Sequence, residues 1–291
     1  MKNWGRFITA MVTPFDDTLH VDYDKAVELA NKLINEGNTA LVICGTTGEA
    51  PTLTRKEKMD LYKILKEKVN VPIIAGIGTN ATSDTIENGK DAISCGVDGL
   101  LVVVPYYNKP DQESMYEHFK TVAEALDGDI MLYNVPGRTG INMLPSTVEK
   151  LAQIDNIVAL KEASGNIVQF SEMVKKTPKD FMVYTGDDVL TLPSMAVGGY
   201  GVVSVAAHIV SSKMKEMIDS FLEGNVKKAA EIHLELLDIN QNLFIVTNPI
   251  PVKAALNMMG LNVGGLRLPL TTAKPAVKAE IQKDMRKLGL V

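Results

Sequence analysis

Short runs of aliphatic and β-branched residues recur at Phe7–Val12, Ala40–Cys44, Val71–Ile77, Leu100–Val104, Ile130–Tyr133, Ile157–Leu160, Phe181–Tyr184 and Gly201–Val205. Several are apolar at nearly every position, the pattern of parallel strands covered on both faces. Between the runs the period becomes helical. In "DYDKAVELANKLINEG" the pairs Ala26/Val27, Leu29/Ala30 and Leu33/Ile34 recur three to four apart, and Gly37 offers a stop. "TRKE" at Thr54–Glu57 has capping-box spacing ahead of Leu61, Ile64 and Leu65. Eight strand–helix units without a Pro/Gly/Ser-rich linker predict an α/β fold, a (β/α)8 TIM barrel. A doubly wound sheet would ordinarily divide into two halves, and no composition break marks such a division. Met214–Phe221 would be the eighth helix, so the barrel is expected over residues 1–223. Residues 224–291 are too many for barrel closure. There "VKKAAEIHLELLDIN", "PVKAALNMM" and "KPAVKAEIQKDMRKL" predict three more helices, a C-terminal helical extension.

Bulk properties exclude more than they add. The net charge is −5 with lysines and arginines dispersed, which argues against a nucleic-acid or membrane surface. No apolar run approaches the roughly 18 residues of a membrane span. The apolar run in "MKNWGRFITAMVTPF" is too short for a signal peptide and reads as a first strand. Two cysteines, Cys44 and Cys95, make neither a disulfide framework nor a zinc site, and a reducing, cytoplasmic setting is expected.

In such barrels chemistry sits at the C-terminal ends of the strands. One residue there conflicts with its surroundings. In "VALKEASG" Lys161 ends an apolar strand, where a charged ammonium is costly unless paired or deprotonated. Pairing with Glu162 is the obvious remedy, but adjacent strand residues face opposite sides. A desolvated lysine is a nucleophile that forms Schiff bases with carbonyls. Other strand ends supply companions: Tyr133, the hydroxyls and N–H groups of Thr46 and Thr47 in "GTTGEA", the pair Tyr106–Tyr107, and Arg138 in the loop "PGRTG". The turn could cradle one carboxylate and the guanidinium could clamp another. "GIGTNA" mimics a dinucleotide fingerprint, but Asp98 precedes strand four instead of ending a strand, so no nucleotide site is expected. His20, His118, His208 and His233 are scattered, which argues against a catalytic zinc at Asp187–Asp188. "SVAAHIV" after strand eight lacks the glycine-rich phosphate nest of many barrels.

Taken in order, "GTTGEA", "PYYN", "YNVPGRTG" and "VALKEASG" closely resemble the dihydrodipicolinate synthases, within the class I pyruvate aldolases that include N-acetylneuraminate lyase. The resemblance runs from the first strand to the eighth. It implies that Lys161 forms an imine with pyruvate, whose enamine adds to aspartate 4-semialdehyde to give 4-hydroxy-tetrahydrodipicolinate, a committed step of diaminopimelate and lysine biosynthesis. It further implies a proton relay of Tyr133, Thr47 and Tyr107, the last reaching a neighbouring subunit of a homotetramer. The N–H groups of Thr46 and Thr47 would hold the pyruvate carboxylate, Gly186 and Val203 would line the imine pocket, and Arg138 would take the semialdehyde carboxylate. No cofactor or metal is implied beyond the lysine imine. Arg138 in its "YNVPGRTG" setting separates this reading from the alternative, an N-acetylneuraminate lyase or keto-sugar-acid aldolase. A pyruvate-sensing barrel would be expected to have lost part of the relay. Lysine-inhibited members usually carry polar or histidine residues after "GTTGE" and an acid after the "NAT" turn. Here Asn80 and Tyr106 match and Asp84 partly replaces the acid, but Pro51, Arg55 and Lys58 present like charge, so lysine feedback is expected to be weak or absent.

Overall fold

The computed structural model describes residues 3–291. Eight parallel strands pair in chain order and β8 returns to β1, closing the barrel. They are β1 (Phe7–Ala10), β2 (Ala40–Ile43), β3 (Ile73–Gly76), β4 (Gly99–Val103), β5 (Ile130–Asn134), β6 (Ile157–Glu162), β7 (Met182–Thr185) and β8 (Gly201–Ser204). All eight expected strands are present, with ends moved by local chemistry. β3 begins at Ile73 because Pro72 has no N–H to donate, although its carbonyl accepts from Leu41. β6 runs two residues beyond its apolar run, since Lys161 and Glu162 pair with Tyr133 and Asn134 on one side and Tyr184 and Thr185 on the other.

Strand alternation sorts the side chains into two packed layers. Ile8, Val42, Ile74, Leu101, Met131 and Val203 belong to the cluster filling the barrel. Their strand neighbours, such as Phe7, Leu41, Ile43, Ile73 and Leu132, pack outward under the helices. The register shift between Ile130 and Met131 leaves Val158 out of the ladder and sets the phase of the rest of β6. Ala159 and Lys161 therefore face inward, while Leu160 and Glu162 face the helices.

The intervening helices are α1 (Tyr23–Asn35), α2 (Arg55–Lys68), α3 (Thr82–Ser94), α4 (Gln112–Ala125), α5 (Pro136–Thr139), α6 (Pro145–Leu151), α7 (Ile167–Lys176), α8 (Thr191–Ala196) and α9 (Ala207–Leu222). The Asp22 side chain caps α1 by accepting from the Lys25 N–H, and Gly37 follows the helix at φ +101°. The capping box opening α2 is formed in both directions between Thr54 and Glu57. "PGRT", expected as loop, is the single helical turn α5, with Pro136 in the first-turn position that tolerates a missing N–H. The last barrel helix starts at Ala207, before the expected Met214, because a first turn precedes a kink at Val210. Past Gly224 the extension contains four helices: α10 (Val226–Glu235), α11 (Leu237–Asn242), α12 (Ile250–Met258) and α13 (Pro275–Lys287). The first expected helix is divided at Leu236. That break buries Leu236 and Ile239 and lets Asn242 donate to Asp284 on α13 at 2.5 Å.

Asp98, discounted above as a ribose ligand, holds the fold together: its carboxylate accepts from the Ile73 N–H and pairs with Lys66. No described helix is long and apolar enough to cross a membrane.

Candidate active site

Lys161 projects from the end of β6 into a cavity of about 760 Å³ at the barrel mouth. Its side chain is 5% exposed, and its Nζ lies 4.4 Å from the centroid of the Tyr133 ring. The ring on β5 is brought there by the in-register pairing of the two residues. No hydrogen bond or ion pair to Nζ is found among the described residues. Burial pushes the lysine pKa down to about 8; the Arg138 charge adds to this and Asp188 opposes it.

Glu162 confirms the phasing argument from the other side. Its carboxylate accepts from Asn134 Nδ2 at 2.8 Å, the Ser164 N–H at 2.9 Å and Gln169 Nε2 at 3.2 Å. Those partners lie behind the barrel wall, so the glutamate leaves its neighbour unpaired.

The "GTTGEA" turn follows β2, and the N–H groups of Thr46 and Thr47 make no hydrogen bond to the described residues. Both residues line the cavity, so two free donors stand where a carboxylate could be received. The two hydroxyls are differently used. The Thr46 side chain adjoins the Tyr133 phenol, whose pKa burial pushes up while the Arg138 charge and Thr46 oppose the shift. The Thr47 hydroxyl instead accepts from Asn248 Nδ2 at 2.9 Å. The expected relay named Thr47; the hydroxyl that adjoins Tyr133 is that of Thr46, because successive side chains of the turn diverge.

Arg138, carried by α5, lines the same cavity and donates from Nη2 to the Asn248 carbonyl at 3.1 Å. Gly186 donates its N–H to the Glu162 carbonyl at 2.7 Å, which presses its backbone against the lysine stem. A Cβ there would lie 2.6 Å from Lys161 Cε, so only glycine fits. Val203 is buried in the inner barrel cluster on β8. Tyr107 is not brought to this cavity within the chain. It sits after β4 at φ +74° and is 87% exposed.

Sequence reasoning missed two participants. Asn248 lies in the extension between α11 and α12, and its link to Thr47 spans 201 positions with no local periodicity to reveal it. Asp188 was weighed only as a metal ligand; it is a buried carboxylate bound by Ser204 Oγ, at 2.5 Å, and by the N–H groups of Val205 and Ala206. Burial pushes its pKa up, against those hydrogen bonds, and its charge opposes the lowering of the Lys161 pKa. Among the histidines, His208 is a structural bridge: Nε2 accepts from the Val12 N–H at 3.0 Å while Nδ1 contacts the Val205 carbonyl at 2.7 Å. Burial pushes its pKa down to about 4.

A smaller cavity of about 270 Å³ adjoins the first, sharing Thr46, Tyr133 and Arg138 and adding Lys58, Pro51 and Tyr106. Arg55 is absent from its lining because its guanidinium pairs with Asp91 on α3.

Known proteins resemble this chain along its whole length. The model of the dihydrodipicolinate synthetase family matches residues 3–288. The 4-hydroxy-tetrahydrodipicolinate synthase of Heliobacterium modesticaldum is 52% identical over 289 residues, covering 99% of this chain and 96% of its own length. A crystal structure of dihydrodipicolinate synthase from Cyanidioschyzon merolae with lysine bound aligns with a TM-score of 0.97 at 46% identity and 100% coverage of both chains. One from Bacillus anthracis gives 0.95 at 47% identity, covering 98% of this chain and 99% of that one. This chain belongs to the dihydrodipicolinate synthetase family.

Proposed function

We propose that the chain is a lyase of the class I aldolase type, condensing pyruvate with aspartate 4-semialdehyde to give 4-hydroxy-tetrahydrodipicolinate for diaminopimelate and lysine biosynthesis. The observation that carries this reading is Lys161, enclosed, unpaired and with a pKa lowered to about 8 in the cavity that also holds Arg138. At pH 7 roughly a tenth of such an amine is neutral, against well under a thousandth for an unperturbed lysine.

The neutral Nζ adds to the keto carbon of pyruvate, and water leaves as the imine forms. The protonated imine is itself the electron sink, so the reaction calls for no metal or organic cofactor. Loss of a methyl proton gives the enamine, whose carbon attacks the aldehyde of the semialdehyde. The adduct's amino group then attacks the imine carbon and displaces the lysine, closing the ring. The Thr46 and Thr47 amides receive the pyruvate carboxylate, and Arg138 receives that of the semialdehyde. The Tyr133 phenol, kept protonated by burial and adjoining Thr46, relays protons to and from the reacting oxygen and nitrogen. Gly186 leaves room for the lysine stem, and Val203 closes the barrel beneath it.

Tyr107 supports an oligomeric reading. A bulky, nearly fully exposed phenol at positive φ is held in a costly conformation, and its hydroxyl makes no hydrogen bond to the described residues. We assign it to the relay of a neighbouring subunit within a homotetramer built as a dimer of dimers. The two free cysteines, both buried, suit a cytoplasmic enzyme.

Borohydride reduction with pyruvate, followed by mass measurement, tests the chemistry: a pyruvyl adduct on Lys161 is expected, and its failure to appear would overturn the imine. Kinetics with aspartate semialdehyde against N-acetylmannosamine test the acceptor, and a preference for the sugar would overturn the assignment.

A further inference from the structure

We infer that Asn248, from the C-terminal extension, is a positioning residue that holds the pyruvate-carboxylate turn in place through the Thr47 hydroxyl; this inference rests on the function proposed above. Three observations converge on this residue. Its side chain is 4% exposed, and Nδ2 donates to Thr47 Oγ1 at 2.9 Å. Its main-chain carbonyl accepts from Arg138 Nη2 at 3.1 Å. Its Oδ1 is buried without a partner among the described residues, so the side chain is held by its NH2 end alone. One residue thus spans the gap between the turn offered to one substrate's carboxylate and the arginine offered to the other's.

The chemistry gives this contact a direction. An amide NH2 only donates, so Thr47 accepts and its side chain is fixed against the extension, away from Tyr133. Fixing that side chain fixes the backbone of Thr46 and Thr47, whose free N–H groups must meet a carboxylate at about 2.9 Å to bind it well. The far side of the turn is anchored independently. Glu49 pairs with the buried Lys253 at 2.7 Å and its other oxygen accepts from the Arg267 N–H at 3.0 Å. Glu49 is held by α12 and the segment after it, and the Gly48 carbonyl accepts from Thr13 Oγ1 at 2.7 Å, so Asn248 supplies the hold on the Thr47 side chain, on the half of the turn that faces the cavity.

A side-chain substitution leaves the Asn248 carbonyl, and so the Arg138 contact, in place. The effect therefore belongs to pyruvate. Asn248→Ala is expected to raise KM for pyruvate about tenfold, the scale of one lost hydrogen bond, with kcat and the semialdehyde KM within about threefold of the original. Asn248→Asp, which adds a negative charge beside the carboxylate site, is expected to raise it further, to about a hundredfold. Thr47→Val removes the acceptor with little change of shape and should raise the pyruvate KM by about the same factor as Asn248→Ala. In the double variant Thr47→Val/Asn248→Ala the two losses should not multiply, because they break the same contact. Parallel loss of kcat with both KM values unchanged would mark a role in folding only and overturn the inference. Multiplying losses, or a pyruvate KM unchanged in Asn248→Ala, would also overturn it. Should the Asn248 variants fail to fold, Thr47→Val decides alone: a pyruvate KM near the original overturns the proposal. Absence of a pyruvyl adduct in the unsubstituted chain would instead remove the function itself, whereas an adduct with unshifted variants removes only the role of Asn248.

Discussion

Lys161 and Lys253 are buried almost equally, and each lies against an aromatic ring, Tyr133 at 4.4 Å and Phe15 at 4.0 Å. Burial pushes both down to about 8. They differ in what their nitrogens touch. Lys253 faces Glu49 at 2.7 Å and donates to the Gly265 carbonyl at 2.7 Å, deep between α12 and the turn after β2. Among the described residues Lys161 Nζ has no acceptor, and it faces open volume. A buried lysine whose donors are taken serves the fold, whereas one left without partners is available for a substrate carbonyl. Desolvation alone does not distinguish them; the accounting of partners does.

The largest expected effect tests the nucleophile side of that contrast. Lys161→Ala should abolish the borohydride-trapped adduct and lower turnover by at least about a thousandfold, whereas Lys253→Met should still give the adduct wherever it folds. Trapping on Lys253 in the first variant would break the comparison.

The next effect has opposite signs at the two sites. Lys253→Met strands the Glu49 carboxylate and should cost about 3–5 kcal/mol in denaturant unfolding. Lys161→Met replaces an unpaired buried amine with a similar apolar side chain and should stabilise by about 1–3 kcal/mol. Equal signs would sink the distinction.

The pH dependence sharpens it. Both folded pKa values lie below the unfolded lysine value, so between about pH 8 and 10.5 the unfolded chain holds more protons. The cost of burying these cations is full below pH 8, and their contribution to stability improves as pH rises through that window. Lys161→Met should flatten part of the rise in unfolding free energy. The rate of adduct formation should climb with pH through a midpoint near 8 and level above it, and a midpoint near 10.5 would contradict a desolvated nucleophile.

The smallest expected effect concerns a third lysine. Lys58 lines the adjoining cavity and its ammonium has no ion pair or hydrogen bond among the described residues, while Arg55 is neutralised by Asp91. A free cation there opposes binding of lysine. Titration calorimetry should show weak or no lysine binding, and Lys58→His should strengthen it; tight binding by the unsubstituted chain would count against the charge argument.

The apolar periodicity of the chain determined the eight strands, the capped helices α1 and α2, and the divergence of Lys161 from Glu162, while the register shift in β6 decided which of the two faces inward. Those features depend on neighbours in sequence: alternation has a period of two, and a capping box closes within four residues. The motifs after β2, β4, β5 and β6 located most of the site because a barrel gathers its strand ends by construction. Contacts between distant segments lay beyond that reading. Which threonine hydroxyl meets Tyr133 depends on how the turn is pinned from the extension, and Asn248 acquires its role only by crossing to Thr47. The splitting of α10 from α11 at Leu236 likewise reflects packing against α13 and not helical propensity. Tertiary structure also decided which of two buried lysines was left without a partner among the described residues, because a partner 204 positions away leaves no trace in the local pattern of polar and apolar positions.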